Sequence, residues 1–65
     1  MLYHKMNEIA ESYINGNIEE TKKSVKRMSK SDLISFIAVL AGFYPQKSEY
    51  VSYSESLSAI RRLLD

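Results

Sequence analysis

Five cations fall within nine residues of this chain: Lys22, Lys23, Lys26, Arg27 and Lys30. Residues four apart share a helix face, so Lys22–Lys26, Lys23–Arg27 and Lys26–Lys30 are like-charge neighbours, each unfavourable by ~0.2–0.5 kcal/mol. Glu19, four residues before Lys23, offsets one of them. A surface that carries such repulsion fits a role in meeting acidic protein groups or phosphates. The plain alternative is a solvated face whose cations favour the carboxyl end of the helix dipole.

Other chemistry-bearing residues form no catalytic constellation. The single histidine, His4, lies near the amino end with no metal-ligand spacing around it, and the chain has no cysteine. Glu8 and Glu11 read as a polar helix face, while Glu19 and Glu20 suit a helix start, where the dipole favours anions. Gly16 and Gly42, the only glycines, build no phosphate loop. Serines at 48, 52, 54, 56 and 58 have no base beside them. The expectation is a non-enzyme with no metal, no cofactor and no small-molecule ligand.

The elements that position these residues are short. A chain of 65 residues is one small domain, spanning 1–65. A domain of that size holds roughly 3–5 kcal/mol of stability at best and usually needs a staple or a second subunit. With cysteine absent, helix packing or oligomerisation must serve. Net charge is +1, so the molecule as a whole is neither a polyanion mimic nor a basic coat for nucleic acid. Glu8 and Glu11 stand where a secretory signal would need an apolar run, and a cytoplasmic location is expected.

Periodicity predicts four helices. Leu2, Met6, Ile9, Ala10 and Tyr13 form one stripe, which "NGN" at 15–17 ends with Gly16 as the left-handed cap. Asn17 and Glu20 have the spacing of a capping box for a second helix over about 18–28. There Ile18, Thr21, Val25 and Met28 share a face opposite the basic arc. Ser29 caps a third helix, with Asp32 at the reciprocal position. From Leu33 to Tyr44 only Ser35 and Gly42 interrupt its apolar run, and Pro45 stops it. Twelve residues rise about 18 Å against a hydrocarbon core of about 30 Å, so this helix cannot span a bilayer, and no membrane partner is expected. Apolar around more than half its circumference, helix 30–44 is read as the buried centre of the bundle. Ser35, Ala38 and Gly42 leave a narrow seam that either admits another backbone or is simply solvated.

The last helix, from about Ser48 to Leu64, carries Tyr50, Tyr53, Leu57, Ile60 and Leu64 in steps of 3, 4, 3 and 4, a seam widened by Val51 and Leu63. These five are expected to close the core. If exposed, the same seam becomes a face for a homodimer or another protein, since tyrosine is enriched at interfaces. No strand alternation or internal repeat competes, so the fold class is all-α, a compact bundle of four short helices.

Helices one and two, joined by "INGN", loosely fit a DNA-reading helix-turn-helix. Helix two offers lysines for phosphates but almost nothing for base edges apart from Arg27, which argues against sequence-specific reading. Nucleic-acid contact through the basic face stays open as an alternative function. A homodimeric structural subunit is another.

The stretch "YINGNIEETKKSVKRMSKSDLISFIAVL", residues 13–40, resembles short helical proteins encoded by phages and prophages. These pair an aromatic–Ile–x–Gly–Asn segment and a charged helix with a Ser-Lys-x-Asp-Leu start to an apolar helix. The resemblance implies a cytoplasmic accessory protein that acts by binding a host protein or ribonucleoprotein complex and blocking it. It carries no functional residue across.

Overall fold

The computed structural model describes residues 2–44 and 48–65, and within them four helices follow one another: α1 (Tyr3–Ile14), α2 (Ile18–Lys26), α3 (Lys30–Ala41) and α4 (Glu49–Leu64). No strand occurs among the described residues. The chain is an all-α bundle, as the periodicity predicts. The expected proline stop at Pro45 lies outside the described residues.

Local chemistry sets most boundaries. α1 ends as expected: Gly16 takes φ +90°, the Gly16 N–H bonds Tyr13 O at 3.1 Å, and the Asn17 N–H bonds Ser12 O at 2.8 Å. That pair of bonds is a Schellman closure, and a side chain at position 16 would be strained by the backbone alone. α3 starts where Ser29 Oγ accepts from the Asp32 N–H at 3.1 Å. α4 starts where Ser48 Oγ accepts from the Val51 N–H at 3.2 Å.

Two helix ends depart from the sequence reading. Asn17 makes no side-chain cap bond, because its backbone (φ −81°, ψ 64°) is not the extended conformation that aims a cap side chain. Its carbonyl accepts instead from the Thr21 N–H at 3.1 Å and from Thr21 Oγ1 at 2.8 Å. The expected capping box between Asn17 and Glu20 is therefore replaced by a threonine bonding back one turn. α3 stops at Ala41 rather than at 44. Gly42, Phe43 and Tyr44 donate to carbonyls three residues back, at 3.1, 2.9 and 3.2 Å, which winds the chain too tightly for an α-helix.

Packing joins the helices in a ring: α1 against α2 and α3, and α4 against α2 and α3. α4 thus folds back on its own chain. The Cα radius of gyration is 10.6 Å, matching the roughly 10.7 Å of a compact chain this long. The core draws on every helix, with Met6, Ile9 and Ala10 from α1 and Val25 from α2. Met28 follows α2; Phe36 and Leu40 come from α3, and Ala59, Ile60 and Leu63 from α4.

α3 is less enclosed than its composition suggests. Phe36 and Leu40 are fully buried, Leu33, Ile37, Val39 and Phe43 pack half-buried against the core, and Ile34 is 62% exposed. With only two neighbouring helices, the outer arc of α3 has nothing to cover it, and Ala38 and Gly42 on the small-residue seam are exposed. Leu2 and Ile18, each at the amino end of its stripe, are also exposed.

The larger correction is α4. Of the seam Tyr50, Tyr53, Leu57, Ile60 and Leu64, only Ile60 is buried. The inward residues are Ser52, Ser56, Ala59, Ile60 and Leu63, a face turned by about 100° from the expected one. Ser52, Ser56 and Ala59 are the small side chains of this face, and Ile60 and Leu63 fill the core beside them. Burying a hydroxyl there costs little, because Ser56 Oγ donates to Ser52 O at 2.8 Å within the helix.

Candidate functional site

The basic arc is where the sequence places it, on the outer side of α2. Thr21 and Val25 turn inward, and the 100° step between residues then sends Lys22, Lys23, Lys26 and Arg27 outward. Lys23, Lys26, Arg27 and Lys30 are exposed and Lys22 is half-buried. Among the described residues none of the five is in an ion pair.

The fold divides them. Lys23 and Arg27 line an open groove of about 470 Å³ between α1 and α2, whereas Lys22, Lys26 and Lys30 do not. Across the groove α1 contributes Lys5, Glu8 and Ser12, and α2 adds Glu20 beside Lys23. Lys5 Nζ lies 3.7 Å from a Glu8 carboxylate oxygen, with both side chains more than 60% exposed, so the pair holds little energy and stays available. Ile9 and Thr21 form the floor. The groove therefore interleaves carboxylates with cations rather than presenting one sign.

Glu8 and Glu20 were readable from sequence only as a polar face and a helix start. The signal that unites them is a repeated spacing. Lys5, Glu8 and Ser12 flank the α1 stripe at i, i+3 and i+7, and Glu20, Lys23 and Arg27 flank the α2 stripe at the same steps. Two such flanks face each other once Gly16 turns the chain back.

The second region of interest is the seam displaced by the turn of α4. Tyr50 is 83% exposed, and Tyr53, Leu57 and Leu64 are about two-fifths exposed. A shallow recess of about 290 Å³ lies between Tyr50, Tyr53, Ser54 and Leu57 of α4 and Ile37 of α3. On another side of α4, Tyr44 meets Ser54, Glu55, Ser58 and Arg62 around a recess of about 330 Å³. Burial raises the Tyr44 phenol above its ordinary value; Tyr13 and Glu55 add to the rise and Arg62 opposes it.

Among the described residues no three His, Cys, Asp or Glu side chains gather as a metal would need, and His4 is exposed. Every buried side-chain polar atom among them has a hydrogen-bond partner. No described helix is long and apolar enough to cross a membrane. No protein-family model, curated protein or solved structure matches the chain.

Proposed function

We propose that this chain is a non-catalytic protein-binding module that blocks a partner's surface through its α1–α2 side. One observation carries the reading: the groove there alternates Glu8 and Glu20 with Lys23 and Arg27. A continuous polyanion would run against both carboxylates, whereas a protein surface can answer both signs. Lys22, Lys26 and Lys30, outside the groove, add a positive field that steers the module toward an acidic region of the partner and speeds encounter. The absence of aromatic side chains among the groove residues also favours protein over single-stranded nucleic acid, which binds by stacking. The likeness of residues 13–40 to phage-encoded accessory proteins makes the partner a host protein or ribonucleoprotein, met in the cytoplasm.

The test is capture from bacterial lysate with the tagged chain, with and without nuclease, beside a Lys23→Glu/Lys26→Glu variant of unchanged helicity. The expected result is one protein held in near-stoichiometric amount after nuclease and lost by the variant. Loss of all captured material on nuclease treatment would transfer the basic face to nucleic acid. Capture indifferent to the double reversal would remove the face from the function altogether.

A further inference from the structure

The side of α4 turned away from the core bears Tyr50, Ser54, Leu57 and Arg61, all exposed and spaced by 4, 3 and 4 residues. That spacing aligns them in one row, the pattern on which a second helix packs at a shallow angle. Beside the row, Ile34 of α3 is 62% exposed and Ile37 lines the recess with Tyr50 and Leu57.

We propose that this row is a self-association face, on which a second copy of the chain lays its own α4 antiparallel about a two-fold axis. The assignment goes beyond the α1–α2 reading and uses a different side of the molecule. It rests first on self-complementarity. In a two-fold contact, residue i meets j while j meets i. Reversing the row on itself sets Tyr50 against the partner copy's arginine and Ser54 against its leucine, each twice. A guanidinium over a phenol ring is a favourable cation–π pair, and a large side chain opposite a small one interdigitates. A parallel arrangement would instead stack Arg61 on its own copy, like charge on like charge. The antiparallel one also brings the acidic first turn, with Glu49, beside the basic last turn, with Arg61 and Arg62, and opposes the helix dipoles.

The second support is area. Tyr50, Tyr53, Leu57, Ile34 and Ile37 leave roughly 500 Å² of side-chain surface open between them. Doubled by the two-fold, this reaches about 1,000 Å², the lower bound for a specific interface. A contact of that size belongs with the small, transient interfaces. A core that numbers ten among the described residues, in a chain without cysteine, has reason to extend itself this way.

Sedimentation velocity on the intact chain, from about 1 µM to about 1 mM, tests both contact and register. The expected result is a mass rising from 7.5 kDa toward twice that value with concentration. Tyr50 is 83% exposed, so substitutions there leave the fold intact. Tyr50→Arg should weaken the dimer at least tenfold by opposing Arg61, while Tyr50→Glu should keep it. Because the chain has no cysteine, a mixture of Ser54→Cys and Leu57→Cys proteins should form the mixed disulfide faster than either forms its own. A monomer at every concentration overturns the proposal. So does a dimer untouched by Tyr50→Arg, since the contact then lies elsewhere. Equal loss with arginine and glutamate, or no preference for the mixed disulfide, overturns the antiparallel register.

Discussion

α4 has an inner face of Ser52, Ser56, Ala59, Ile60 and Leu63 and an outer face that includes Tyr50, Tyr53 and Leu57. Both faces carry aliphatic side chains, but the two tyrosines lie on the outer one and two buried serines on the inner one. Ile60 and Leu63 anchor the inner face at its carboxyl end, and the serines fill the positions in line with them towards the amino end. α4 lies against both α2 and α3, and its inner face sets Ser52, Ser56 and Ala59 beside the larger Ile60 and Leu63. The two serines are tolerable because the Ser56 hydroxyl bonds the carbonyl one turn earlier. Tyr50, Tyr53 and Leu57 are left on the surface.

The contrast can be broken most directly from inside. Ser56 is fully buried, and Ser56→Leu adds volume where none is free. A loss of roughly 1–3 kcal/mol is expected, close to the whole stability of such a chain, whereas Ser56→Ala should change little. Urea midpoints of the three proteins measure this; a Ser56→Leu chain as stable as the parent would mean that the inner face has room. Next in size is Ser48→Ala. It removes the cap on the first turn of α4, which bears Tyr50, and leaves the inner residues alone. It should cost about 1 kcal/mol, seen as a lower melting temperature. Leu57→Ala probes the outer face and should cost only about 0.5 kcal/mol in dilute solution, since that side chain is already 44% exposed. A loss several times larger would place Leu57 in the core after all.

The smallest effect concerns Tyr44, packed against a third side of α4. Its phenol is raised above 10.0, chiefly by burial. The folded chain thus holds this proton more tightly than the unfolded one. The resulting stability is full below the unfolded phenol's value and is lost as pH climbs through the raised one. Chemical denaturation across the alkaline range should show the decline, and Tyr44→Phe should flatten it.

Much of this was legible beforehand, for identifiable reasons. The cap at Ser29 and the left-handed Gly16 are local: a few residues decide them, and the sequence contains those residues. The inward Thr21 and Val25 were legible because the opposite side of α2 is charged, so only one orientation buries apolar surface. α4 offered no such contrast. Large apolar residues stood on both sides, Tyr53 and Leu57 on one and Leu63 on the other with Ile60 between, and periodicity cannot say which side turns inward. The capping box failed for a related reason, since the ψ of Asn17 is fixed by the closure of α1 before it. The groove uniting Glu8 and Glu20 with Lys23 and Arg27 was hidden because it joins two helices, and its members read singly as solvating charges.

Two of the ten core side chains among the described residues are the thioethers of Met6 and Met28, 2% and 8% exposed. Peroxide converts such a side chain to a sulfoxide, a polar group that the core has no partner for. Both side chains are nearly covered in the closed fold, so their oxidation should speed up when the helices part. The chain therefore contains its own clock for opening. Equal rates at the two sites would time a concerted opening, and a faster rate at Met28 would show that the end of α2 loosens first.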